Sequence, residues 1–152
     1  PLRPFSRNRM SEQRETYRVS GKHSSNQAPR ASEHQAQAAL ITWAAVYEIQ
    51  WPELKYLYAI PNGAMSSARH AIWFKAEGLR KGVPDLCLPV PRGGYFGLYI
   101  EMKTEAGKPS PEQMEWLEFL NGQGYLAALA YGFDQAVETL THYLNLSKST
   151  SV

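Results

Sequence analysis

The sequence predicts an α/β fold in which helices flank a central sheet, and three observations carry that expectation. Helix and strand signals alternate from residue 32 onward. The segment GLRKGVPDLCLPVPRGGYFGLYIEMK reads as two apolar strands joined at a Gly-Gly turn. A strongly capped helix beginning at Ser110 then separates that hairpin from one more apolar strand, YLAALAYG. At 152 residues the chain suits one domain with a real core. Its 43% hydrophobic and 20% charged residues fit a globular protein in water, and no apolar run is long enough to span a bilayer. The basic first residues lack the apolar segment of a secretory signal, so the cytoplasm is the expected location. The lone Cys87 excludes an internal disulfide framework and reads as a small buried hydrophobe.

Residues 1–31 hold seven Lys or Arg against two acids, Glu12 and Glu15, a net +5 in a chain whose total is only +2. This Ser-, Asn- and Gln-containing arm has no apolar periodicity. It reads as flexible, suited either to lying along nucleic acid or to acting as a solubilising tail. The remainder, at −3, argues against a broad DNA-coating surface but leaves room for an enzyme that gathers carboxylates around a metal.

Ser32 with Gln35 forms a capping-box pattern for a helix running to about Gln50, with Ala36, Leu40, Trp43 and Tyr47 as its core stripe. Glu33 lies two turns before Leu40 on that stripe, so its carboxylate is expected to point inward. Trp51-Pro52 ends the helix. A strand from Leu57 to Ile60 closes at the turn signal Pro61-Asn62-Gly63, and a helix leaning basic through Arg69, Lys75, Arg80 and Lys81 follows from about Ala64 to Gly78. The hairpin turns at Pro91-Arg92-Gly93-Gly94. Gly82 permits a sharp approach to its first strand, and Pro84 holds Val83 extended. Ser110-Pro111-Glu112-Gln113 supplies an N-cap, a first-position proline and a capping-box glutamine. Gln113 also shares a stripe with Trp116, Leu117 and Leu120, so its amide either closes the cap, the favoured role, or faces the site. Gly122 to Gly124 stops this helix, and a last one runs from about Asp134 to Leu146. The expected division is an arm at 1–31, a domain at 32–146 and a tail at 147–152.

Within this frame Asp85, Glu101 and Lys103 stand out. Glu101 and Lys103 are two apart in GLYIEMK, so a strand sends both to one face while Leu98, Ile100 and Met102 take the other. An acid and a base on a strand otherwise built for burial are costly unless a partner, metal or substrate occupies them. Reversing the chain at the Gly pair brings Asp85 toward Glu101, the geometry a divalent cation needs. The bland alternative is a strand-end salt bridge. Other constellations are weaker. His23, His34, His70 and His142 have no ligand spacing, and the Gly pairs do not match a phosphate-binding loop. Ser110 lacks His and Asp partners. Trp43, Tyr47, Trp51, Tyr56 and Tyr58 could stack on bases, but periodicity makes most of them core.

The segment from about residue 32 to 135 resembles the VRR-NUC branch of the PD-(D/E)xK nuclease superfamily. The likeness rests on Glu33 with Gln37, Pro61-Asn62, KAEGLRKGVPDL, IEMKTEAGKPSPEQ and the strand after Gly124. It implies a restriction-endonuclease-like sandwich with a mixed central sheet. It also implies that Asp85 and Glu101 are metal-binding carboxylates, Lys103 the catalytic lysine, Glu33 a supporting metal carboxylate and Gln113 the glutamine that follows the strand. Cutting a phosphodiester builds negative charge on phosphoryl oxygens. Mg2+ or Mn2+ held by two or three carboxylates meets that need, and the lysine would position or deprotonate water, a task helped if burial depresses its own pKa. The resemblance further implies a phage or bacterial homodimer acting on branched DNA such as four-way junctions, since two strands need two sites. A flap or nicking nuclease, a non-catalytic DNA-structure-binding module and a protein with purely structural ion pairs are the competing expectations.

Overall fold

The computed structural model describes residues 32–61 and 68–148, with side chains from Ile72 onward in the second stretch. Its elements are helix α1 (Glu33–Tyr47), a 3-10 turn (Pro52–Tyr56), β1 (Tyr58–Ala59), α2 (Ala68–Ala76), β2 (Leu86–Leu88) and β3 (Leu98–Lys103). They continue as α3 (Pro111–Gly122), β4 (Leu126–Tyr131) and α4 (Gly132–Asn145). The strands lie in chain order, β1-β2-β3-β4. The first two pairings are antiparallel and the β3/β4 pairing is parallel, with α3 as the crossover. The expected α/β class with a mixed sheet is therefore what the chain adopts.

Both capping boxes form. Ser32 Oγ accepts from the Gln35 amide at 3.2 Å while Gln35 Oε1 accepts from the Ser32 amide at 2.9 Å, and Ser110 and Gln113 make the same reciprocal pair at 3.2 and 2.8 Å. Each pair satisfies two amides that a helix start leaves without intrahelical acceptors. The hairpin turn is the two-residue loop Gly93-Gly94, closed by Arg92 and Tyr95 backbone bonds of 3.2 and 2.8 Å. Its φ values of +59° and +88° match the primed turn whose twist suits paired strands and which only glycine enters without strain.

The period of two then sorts the sheet. Leu86, Leu88, Leu98, Ile100, Met102 and Ala130 face α1 and α4 in the main core, where Leu40, Ala44, Leu140 and Tyr143 meet them. Burying each Leu is worth about 2 kcal/mol. The opposite face carries a smaller cluster of Leu117, Leu120 and Ala127 under α3, with Tyr99 and Trp116 packed against it. Tyr143 anchors the hairpin by donating its hydroxyl to the Val90 carbonyl at 2.6 Å, and burial pushes its pKa up to about 12.

Several boundaries differ from expectation. α1 stops at Tyr47 because the chain tightens into Pro52–Tyr56. β1 keeps only Tyr58 and Ala59, the residues that pair with Cys87 and Leu86. Of the five aromatics, Trp43 and Trp51 pack on the core, whereas Tyr47, Tyr56 and Tyr58 are exposed. Tyr47 instead completes a surface stack with Trp43 at 4.7 Å and Trp51 at 6.3 Å. Asn62, Gly63 and the start of the second helix lie outside the described residues, as does the 1–31 arm. No described helix is long and apolar enough to cross a membrane.

Candidate active site

The hairpin register decides which polar groups meet. Leu86 pairs with Ile100 and Cys87 with Tyr99, so Asp85 falls opposite Glu101, both on the α3 face. Asp85 Oδ2 accepts the Met102 amide at 2.8 Å, which ties the residue before β2 to β3. Lys103, two residues on, shares Glu101's face and donates to Glu101 Oε1 at 2.7 Å and to the Met102 carbonyl at 3.0 Å. β3 therefore presents its apolar residues to the core and its charged pair to the other side.

Gln113 joins the same atom. Its Nε2 donates to Glu101 Oε1 while its Oε1 closes the capping box of α3. The expected choice between cap and site is false, because an amide offers an acceptor at one end and donors at the other. Glu33 reaches the cluster from the first turn of α1: its Oε1 lies 3.7 Å from Lys103 Nζ and accepts from the Thr104 amide at 3.3 Å. The expected inward carboxylate does reach Lys103, but it is 45% exposed. Gln37 is half-buried, His34 and His142 are exposed, and neither histidine belongs to this group.

Burial sets the electrostatics. Glu101 is 1% exposed and Lys103 6%. Desolvation raises the Glu101 carboxyl to about 7, against the opposing hydrogen bond from Lys103, and the nearby Asp85 charge raises it further. Desolvation likewise raises Asp85, countered by the Met102 amide and by Lys103. At Lys103 opposing effects compete. Burial does pull its pKa down, but the Glu101 hydrogen bond and the charges of Glu101, Glu33 and Asp85 outweigh it, and the net shift is upward. The chain's own residues thus favour the ammonium form of Lys103, which donates to Glu101 and to the Met102 carbonyl.

Three carboxylates around one ammonium leave an excess of negative charge. Glu101 Oε2 is buried with no hydrogen-bond partner, while Oε1 takes both donors. A buried acceptor left unmatched in a low-dielectric site is costly, and a cation on that side would relieve it. Among the described residues no group of three or more His, Cys, Asp or Glu side chains is placed to hold a metal ion, so Glu33 does not complete a three-carboxylate set with Asp85 and Glu101. Magnesium asks for less, since it keeps several waters and needs one or two carboxylates. Asp85 and Glu101 fit that demand.

A match to the VRR-NUC domain model runs over residues 21–134, taking in α1 through the start of α4 and all four of these acids and bases. The chain belongs to the VRR-NUC domain family. Among solved structures, a VRR_NUC domain protein superposes with a TM-score of 0.69 and 29% identity, covering 81% of this chain and 96% of that one. No curated protein matches. The family match begins ahead of α1, so residues 21–31 fall within it.

In this VRR-NUC domain one neighbour of the site and one buried ion pair remote from it escaped the sequence. Tyr131 pairs with Lys103 in the parallel β3/β4 register and lines, with Lys103, Ser32, Thr104 and Phe133, a cavity of about 180 Å³. Only long-range pairing places it there, so no local signal could have found it. Arg92 is buried at the far end of the hairpin, where it pairs with Glu53 and leaves its Nε unmatched. The hairpin turn was legible, but the partner lies 39 residues away.

Proposed function

We propose that this VRR-NUC domain is a magnesium- or manganese-dependent endonuclease that hydrolyses DNA phosphodiesters, selective for branched structures such as four-way junctions and acting as a homodimer. One observation carries it: Asp85 and Glu101 converge across the β2/β3 pair, Lys103 and Gln113 both bind Glu101 Oε1, and Oε2 stays buried and unmatched. Membership of a nuclease-type family agrees with that chemistry.

Asp85 and Glu101 would hold the ion, with Glu33 beside them, and the bound ion supplies positive charge to the phosphate and makes water a stronger acid. Gln113 orients Glu101 by holding one of its oxygens. Lys103 keeps its proton at Nζ and, fixed by Glu101 and the Met102 carbonyl, places an ammonium where charge grows on a phosphoryl oxygen. The cavity beside Lys103 and Tyr131 is lined by the starts of α1 and α4 and would give a substrate strand access to the ammonium from that side. Each site cuts one strand, so paired cuts across a junction call for two copies about a two-fold axis.

The test is cutting of labelled junction, flap, single-stranded and duplex DNA with magnesium, manganese or chelator. Junction cutting that needs metal is expected, and Asp85→Asn, Glu101→Gln and Lys103→Met should each lower it by at least about a hundredfold without unfolding the chain. Retained cutting by any of the three removes that residue from the mechanism. Sedimentation as a monomer would sink the paired-cut reading.

A further inference from the structure

From Ile72 onward α2 contributes no side chain to the two apolar clusters that hold the domain. Every residue from 72 to 78 is exposed. Ile72 is 68% exposed, Trp73 64% and Phe74 41%, and none of the three belongs to either apolar cluster. Consecutive helical positions fan out around the axis, so this is a knob of apolar surface and not a stripe aimed at the core. Adjacent bulky side chains held in water mark an interaction site.

The charge around that knob selects the partner. Residues 68–81 carry Arg69, Lys75, Arg80 and Lys81 against Glu77, a net +3, while the rest of residues 32–152 sums to −6. A two-fold contact between copies through α2 would press like charge against like. A polyanion with exposed ring faces answers both features. Continuous duplex offers phosphates but hides its base faces, whereas unpaired bases offer both.

The position fits as well. α2 leads into residues 79–82, which are pinned to α3: Trp116 Nε1 donates to the Lys81 carbonyl at 3.1 Å, and Lys81 Nζ meets Glu112 at 2.5 Å. The next residue of α3 is Gln113, which holds Glu101, and the chain itself continues to Asp85. We propose that α2 is a nucleic-acid contact in which Trp73 and Phe74 stack on unpaired or unstacked bases near the cut, with Lys75 and Arg80 on the flanking phosphates. The choice of DNA rests on the nuclease reading above.

The experiment measures fluorescence anisotropy of labelled DNA, single-stranded, as a four-way junction and as duplex, with the full chain in chelator so that cutting plays no part. Trp73→Ala with Phe74→Ala is expected to weaken single-strand and junction binding by about tenfold or more, and duplex binding by less than about twofold. Because neither side chain enters the core, the melting temperature should hold. The double leucine variant keeps apolar bulk without ring faces and should weaken binding in the same pattern. Unchanged binding, an equal loss on duplex, or rescue by leucine each overturns base stacking. Conversion of a dimer to a monomer by the alanine pair makes α2 a subunit contact instead and also overturns it. Cutting by the unsubstituted chain with manganese is scored separately: its absence alongside the expected binding pattern sinks the nuclease reading and leaves α2 as a DNA contact.

Discussion

Replacing Glu101 with Gln isolates the strain that this site places on the fold. The carboxyl sits 1% exposed with one oxygen unmatched, and its pKa is raised from 4.5 to about 7, desolvation being the chief cause. Well below 4.5 it is protonated in the folded and unfolded chain alike, and it adds nothing to the pH dependence. Between 4.5 and about 7 the folded state binds the extra proton, so stability falls as pH rises, and above that range the full cost of the buried charge is present. The interval corresponds to about 3 kcal/mol. Asp85, also raised, adds in the same direction. Lys103, raised from 10.5, contributes stability that is constant over this range and is lost only in strong alkali. Urea unfolding in chelator, followed by tryptophan fluorescence from about pH 5 to about pH 8, should therefore show the natural chain losing roughly 2 to 3 kcal/mol. Glu101→Gln should be flatter across that range and more stable than the natural chain at its upper end. Millimolar manganese should restore the natural chain at high pH and leave the variant nearly unmoved, because only a cation-binding folded state gains by mass action. Parallel pH curves for the two chains would refute the burial argument. A flat curve that manganese does not shift would return the carboxylates to a structural ion pair.

Three further outcomes follow from the geometry. Gln113→Glu keeps the oxygen that caps α3 but sets a second carboxylate against Glu101, so stability should match the natural chain near pH 5 and fall more steeply above it, with cutting lost; natural stability and cutting would show that the amide does not hold Glu101. Arg92→Ala leaves Glu53 with only Lys148, at 3.9 Å, and should cost about 3 kcal/mol in urea unfolding; a loss under about 1 kcal/mol would mean the pair is dispensable. Gly82→Ala puts a Cβ 2.6 Å from the Glu112 backbone at a φ of +85°, so the segment must shift off α3; junction cutting and melting temperature should both drop, and unchanged values would show that this close approach is slack.

What could be read from the sequence was whatever depends on neighbours in the chain. Ser32 with Gln35, Ser110 with Gln113 and the Gly93-Gly94 turn are short-range devices, and all three form where expected. The shared face of Glu101 and Lys103 follows from strand periodicity alone. Properties set by distant partners were not legible. Lys103's raised pKa depends on Glu33, 70 residues earlier, as well as on Asp85 and Glu101. Tyr131 joins the site only through parallel pairing. Arg92 and Glu53 look like ordinary surface charges until the hairpin folds onto the 3-10 turn. In α2 the basic lean was legible, but the exposure of the adjacent Ile72, Trp73 and Phe74 was not, because it depends on which elements pack beside the helix.

The connection between β2 and β3, residues 89–97 with the Gly93-Gly94 turn at its tip, acts as a gauge for the Asp85–Glu101 pair at the other end of the hairpin. The pairing already steps by one residue between the Arg92–Tyr95 bridge and Leu88–Leu98, so an added amino acid that was not bulged out in the same way would slide β2 against β3, turning Asp85 away from Glu101 and carrying Leu86 and Leu88 out of the interior. A connection remote from those two carboxylates thus has less freedom to vary in length than its position at the tip suggests.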